Sequence, residues 1–107
     1  MSLDVSLMVV QPCEVFTANI THNLNRMAKE AGIYQHLWRP EELGITKAAE
    51  LVTPLAEGLA RLKQAPEKYK TLNPENGWGN YECLVEFVKK YLQACIDNPS
   101  ADVEVSR

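Results

Sequence analysis

The chain has few cysteines, no excess of positive charge and no long apolar run, and each shortage excludes something. Its three cysteines, Cys13, Cys83 and Cys95, are odd in number, and no two lie at metal-ligand spacing. Neither a disulfide framework nor a zinc site is expected from such a set. Cys83 and Cys95 would share one helix, about 120° apart around its axis and too distant along it to bond. All three read as small core or boundary residues. Lysine and arginine number 11 against 14 acidic residues, a formal net charge of −3. A general nucleic-acid binder needs a stripe of cations that neutralises phosphates. Here Lys63, Lys68, Lys70, Lys89 and Lys90 are interleaved with acids, so general nucleic-acid binding is not expected.

No apolar run approaches the roughly 20 residues that cross a bilayer, and membrane insertion is not expected. The opening MSLDVSLMVV lacks a basic n-region and a small-residue cleavage site, so the cytoplasm is the expected setting. The glycosylation sequon Asn19-Ile20-Thr21 then carries no meaning. Catalytic signatures are also missing. His22 and His36 have no H-x-x-x-H partner, and no glycine-rich phosphate loop occurs. A Cys13–His22 nucleophile pair would rest on two residue types alone. No metal and no cofactor is called for.

What is present is ordinary globular composition, 46% hydrophobic and 23% charged over 107 residues. One domain spanning residues 1–107 is the natural count. A chain of this length buries roughly 65% of its unfolded surface, enough for a core without disulfides.

Leu3, Val5, Leu7 and Val9 alternate with Asp4, Ser6 and Met8, the period of a strand with one buried face. Gln11-Pro12 ends it. The stretch EVFTA is β-prone and reads as a second short strand. A helix is predicted next, capped by Asn19 or Thr21, with Ile20, Leu24, Met27, Ala28 and Ala31 at helical spacing and Gly32 at its left-handed end. IYQHLW forms a short helical piece closed by Arg39-Pro40. A second long helix runs from about Thr46 to Lys63 on the stripe Ala48, Leu51, Val52, Leu55, Leu59 and Leu62. Pro54 inside it predicts a kink, or a restart with Thr53 as cap, and Gly58 is a point of close approach. PEKYK makes a single turn. The third long helix, about Asn80 to Ile96, presents Tyr81, Leu84, Val85, Val88, Leu92 and Cys95 on one face. Val103 and Val105 mark a closing strand. A terminal strand needs a partner, and the first strand is the obvious one. The expected fold is α+β: three main helices packed on a small sheet formed by the N-terminal and C-terminal strands.

Three stretches are candidates for function. ANITHNLNR crowds Asn19, Thr21, His22, Asn23, Asn25 and Arg26 at a helix start. There, free N–H groups and a partial positive charge favour an anion, unless the stretch is only a well-capped, solvated turn. IYQHLWRPEE offers Tyr34, Trp38 and Arg39, which stack on a planar ligand or else plug the end of a core. NPENGWGNYE places Trp78 between Gly77 and Gly79. The indole either folds inward or stacks on a guest beside Tyr81 and Glu82, with Asn80 capping the last helix.

The segments NITHNLNRMAKEAGIYQHLWRPEE, NGWGNYECLVEFVKKYLQAC and VEVSR together resemble a recurrent group of small uncharacterised phage, prophage and bacterial proteins. N-I-T-H-N-L and N-G-W-G-x-Y-E are the most specific pieces, and the likeness covers nearly the whole chain. No secure activity is known for that group, so the resemblance implies a setting (the host cytoplasm, if phage-encoded) more than a function. By analogy with small phage proteins that sequester nucleotide signals, it suggests a sequestering role.

The leading expectation is non-catalytic binding of a small anionic, nucleotide-like ligand by Asn19, Thr21, His22, Asn23, Arg26, Trp38, Arg39, Trp78, Tyr81 and Glu82. That expectation requires the polar helix start and the glycine loop to face one hollow. A second is a protein-interaction module that self-associates as a homo-oligomer through its sheet edge or the Trp78 loop. A third is a small hydrolase or transferase using His22 and Glu82 as acid and base.

Overall fold

The structure is a computed structural model and describes residues 2–9, 13–75, 77 and 79–107. Strand β1 (Ser2–Val9) lies at the centre of a three-stranded antiparallel sheet, flanked by β2 (Cys13–Thr21) and β3 (Asp102–Ser106). The alternation in β1 dictates this. Leu3, Val5 and Leu7 are fully buried, while Asp4 is exposed and Ser6 half-exposed. Cross-strand rows continue the apolar face: Leu3 opposes Ile20, Val5 lies between Ala18 and Val105, and Leu7 lies between Phe16 and Val103. The outer face, with Asp4, Thr17, Asn19 and Glu104, is polar. An antiparallel sheet with one packed and one solvated face reads this way. A bulge interrupts the β1–β2 register between Leu7 and Met8 and leaves the pairing of residues 16–21 regular.

The described residues also form five α-helices, α1 (Asn25–Glu30), α2 (Tyr34–Trp38), α3 (Ala49–Gln64), α4 (Pro66–Lys70) and α5 (Tyr81–Asp97), of which α5 packs on β2 and α3 on α5. The α+β architecture expected from the sequence is the one observed. The closing strand pairs with the first, Asp4 with Ser106 through Met8 with Asp102.

Two expectations change. The strand expected over EVFTA extends through Asn19–Thr21, which belong to β2 and not to a helix, so the chain turns at His22–Leu24 through one 3₁₀ turn before α1. Asn19 therefore caps nothing. Thr21 does, its hydroxyl accepting from the Asn23 amide at 3.3 Å. The polar run was read as a helix start because Asn and Thr are strong caps, and its pairing with Ser2–Asp4 is a long-range fact. Secondly, of the kink or restart expected at Pro54, the restart does not occur: α3 is one uninterrupted element. The bond that Pro54 cannot donate would have gone to the carbonyl of Glu50, an exposed residue in the first turn that water can serve.

The core forms between the sheet, α3 and α5. Leu51, Leu55 and Leu62 of α3 and Leu84, Val88, Tyr91 and Cys95 of α5 are fully buried. The buried stripe of α5 also takes in Phe87 and Ala94, whereas Val85 and Leu92 are only half-buried. Phe16 stacks on Tyr91 with ring centroids 5.9 Å apart. Burial pushes the Tyr91 hydroxyl well above its ordinary range.

Gly58 is the point where α3 meets the segment after α1. A methyl group there would collide with Cγ2 of Ile33, itself fully buried. Gly58→Ala gains about 1 kcal/mol of helix propensity and meets an overpacking cost of roughly 1–3 kcal/mol. A net loss of stability is expected in urea denaturation. In an Ile33→Ala background the same change is expected to become neutral or favourable, because the clashing methyl is gone.

Candidate functional site

The residues singled out in the sequence fall into two places. The first is a groove between β2 and the start of α5, with a volume of about 620 Å³. Ala18, Asn19, Ile20 and Thr21 line one wall; Gly79, Asn80, Glu82, Cys83, Glu86, Phe87 and Lys90 line the other. The polar stretch after position 18 and the glycine loop therefore face a common hollow. The contact between them is close. A Cβ at Gly79, whose φ is +93°, would stand 2.7 Å from Cγ2 of Thr21 and 3.1 Å from Cδ1 of Leu24. A side chain at 79 would push the two segments apart, and the left-handed backbone also favours glycine. Gly77 is left-handed too, with open space around it. Trp78 itself lies outside the described residues.

Asn80 opens α5, its side-chain oxygen accepting from the Cys83 amide at 2.9 Å. The Tyr81 amide is taken by the Asn73 side chain at 2.8 Å. Two of the amides that a helix start offers to an anion are thus already engaged. Tyr81 is not at the groove. It is 8% exposed, and its hydroxyl donates to the Leu62 carbonyl at 2.6 Å, tying α5 to α3. Glu82 lies on the rim, 3.8 Å from the Lys70 ammonium, and Glu86 is 3.8 Å from Lys90. All four are exposed, so these pairs hold weakly.

The second place surrounds Tyr34. Its ring stacks on Trp38 at 5.6 Å and 15°, and the His22 ring meets Trp38 edge-on at 6.2 Å. Trp38 is 2% exposed, so its indole closes the core and offers no face to a guest. His22 Nε2 and Trp38 Nε1 are buried without a hydrogen-bond partner among the described residues. Arg26 and Lys29 line a hollow of about 220 Å³ with Asn25 and Tyr34, and the Lys29 ammonium stands 5.8 Å over the Tyr34 ring. A neighbouring hollow of about 350 Å³ runs past Gly32, Gln35, His36 and Glu42. His36 there is held below the usual imidazole range, first by burial and then by the charge of Arg61. Arg39 is engaged with Glu42 at 3.4 Å, and Asn23 bonds back to Thr21.

The structure thus brings Asn19, Thr21 and Glu82 together at the groove and gathers Arg26, His22 and Trp38 around Tyr34, while Tyr81 is a buried strut. His22 lines none of these three hollows, whereas Glu82 lines the groove. Ile20, Phe87 and Lys90, which complete the groove, were not singled out in the sequence. The spacing of Cys83, Phe87 and Lys90 along one helix stripe is the local signal that could have found the last two; Ile20 was read as part of a helix. No group of His, Cys, Asp and Glu among the described residues is placed to hold a metal ion. No helix among them is long and apolar enough to cross a membrane. Compared with models of protein families, with curated proteins and with solved structures, the chain finds no match.

Cys83 was expected in the core or at its boundary and is instead exposed at the groove, whereas Cys95 is buried. Burial pushes the Cys95 thiol up to about 12. Thiolate is the reactive form, so at pH 8 iodoacetamide is expected to alkylate Cys83 and spare Cys95 in the folded protein. Peptide mapping by mass spectrometry checks this, and both sites should label in denaturant.

Proposed function

We propose that this chain is a recognition module that binds its ligand in the β2–α5 groove, through hydrogen bonds and apolar contact rather than attraction for an anion. The observation that carries the reading is convergence. Two segments distant in sequence line one cavity, with Ile20 and Phe87 as an apolar floor and Asn19, Thr21 and Asn80 as polar groups on its walls. Concave, mostly apolar surface with a few convergent polar groups is the usual form of a binding site. Glu82 and Glu86 argue against a polyphosphate there, with Lys90 the one cation in the lining among the described residues. Cys83 offers a test, since it is exposed on the groove side of α5. Cys83→Trp is expected to fill the groove and leave the core and the melting temperature nearly unchanged. In a fragment screen followed by amide chemical shifts, ligands of the parent protein should move residues 18–21 and 79–90. Their affinity for the variant should fall at least about tenfold, or about 1.4 kcal/mol. Fragments that bind both proteins equally would remove the groove from consideration.

A small anionic, nucleotide-like ligand is the second reading, and it belongs at Tyr34. Arg26 and Lys29 meet there beside an aromatic ring, and neither forms a salt bridge among the described residues. Focused cations can bind phosphate on a protein of net negative charge. At a hundredfold excess over its Kd, such a nucleotide should stabilise the fold by about 2.7 kcal/mol. Melting curves with mono-, di- and cyclic nucleotides measure this. The gain is expected to vanish in Arg26→Ala/Lys29→Ala, and no gain from any nucleotide would end this reading.

A further inference from the structure

The groove is lined by four consecutive residues of β2, Ala18 to Thr21. Alternate residues of a strand point to opposite faces of a sheet. A cavity lying over one face therefore meets every second residue. A cavity that meets four in a row runs along the side of the strand, where the backbone is. β2 is the sheet's edge strand, paired only with β1. Among the described residues, no backbone hydrogen bond beyond that ladder involves residues 16–20. The other edge is treated differently. The Val103 amide donates to the Thr46 carbonyl at 2.9 Å, and Lys47 bridges to Asp102.

The far wall of the slot is one stripe of α5. Glu82, Cys83, Glu86, Phe87 and Lys90 recur at intervals of three and four residues. Thr21 lies against Gly79 at the start of α5, and Phe16 lies against Tyr91 near its other end. Strand and helix thus run side by side in opposite directions. An edge strand facing a parallel-sided helix wall is the geometry that accepts an added strand, with main-chain hydrogen bonds on one side and pockets for alternate side chains on the other.

We infer that this slot receives an extended segment of a partner polypeptide, which adds to the outer edge of β2 and carries a basic side chain toward Glu82 and Glu86. This rests on the groove being the binding site and names what fills it. Unpaired backbone groups along the edge call for another backbone. Edges are ordinarily protected by lysine, proline or a bulge. The stretch FTANIT, residues 16–21, has no lysine or proline, and the bulge lies beyond it. The charge of the lining selects the partner: among the described residues it holds two carboxylates and one ammonium, and the pairs the carboxylates make, Glu82 with Lys70 outside the lining and Glu86 with Lys90 within it, are loose and exposed. A second copy of the chain pairing β2 with β2 would bring no cation, since FTANIT has none.

The test uses a positional-scanning library of acetylated, amidated octapeptides passed over the immobilised protein, with retained peptides read by mass spectrometry. Retained sequences are expected to favour β-branched residues at alternate positions and lysine or arginine at one. Resynthesised and titrated into isotope-labelled protein, they should shift the amides of residues 16–21 and 82–90. Glu82→Gln/Glu86→Gln, two exposed positions, should weaken binding several-fold and remove the preference for the basic residue. Strand N–H groups alternate in direction, so either Ala18→Pro or Asn19→Pro removes an outward donor while sparing the β1 ladder. The variant that keeps the native circular dichroism should lose binding. Retained peptides that shift residues elsewhere would overturn the inference, as would a dimer closed through β2 in light scattering and cross-linking. If no octapeptide binds but small-molecule fragments shift the groove amides, the peptide inference falls and the groove reading stands. If neither moves them, both fall.

Discussion

Leu3, Val5 and Leu7 make β1 the member on which every other element relies. Their side chains are fully buried, and Val5 and Leu7 are paired on both sides, Leu3 with β2. Remove that alternation and neither β2 nor β3 has a neighbour in the sheet, while the core loses three fully buried side chains. A three-stranded sheet with one covered face is near the smallest that is stable in water. Little of the structure is therefore redundant. The position of the groove follows directly, because β2 is displaced to the edge by β3 taking the opposite side of β1.

What the groove has by way of chemistry comes from close approach. Gly79 lets the segment before α5 settle against Thr21 and Leu24. That contact fixes the first turn of α5 beside the end of β2, while the stacking of Phe16 on Tyr91 fixes the other end. The Tyr81 hydroxyl on the Leu62 carbonyl and the Asn73 side chain on the Tyr81 amide brace the same helix start from behind. A rigid strand and a rigid helix make a better recognition surface than loops would.

The elements that were legible in the sequence are those whose period is strong and local. β1 and β3 showed strict alternation, and α3 and α5 showed helical stripes long enough to be unambiguous. Gly32 as a left-handed helix end and Asn80 as a cap were also readable, because each depends on a few adjacent residues. The length of β2 was not. Asn19, Thr21 and Asn23 are good helix caps by local chemistry, and only pairing with Ser2–Asp4 makes the first two of them strand. The aromatic half of the α5 face, Phe87 and Tyr91, was passed over because an aliphatic stripe a few positions away fits the same period. Of the candidate site, both walls were glimpsed but their cause was not. An edge is a property of strand order, and strand order is set by contacts between the two ends of the chain.

The pairing of β1 with β3 has a further consequence for how the protein is made. β1 and β2 are joined by a short connection and can find each other early. β3 joins the same strand only after residues 10–101 have been supplied, and contacts so remote in sequence slow folding. Until then β1 presents an open flank with Leu3, Val5 and Leu7 beside it, and the nascent sheet has two sticky borders instead of one. During synthesis, the interval before residues 102–106 leave the ribosome is when this chain is most exposed to mispairing with its neighbours.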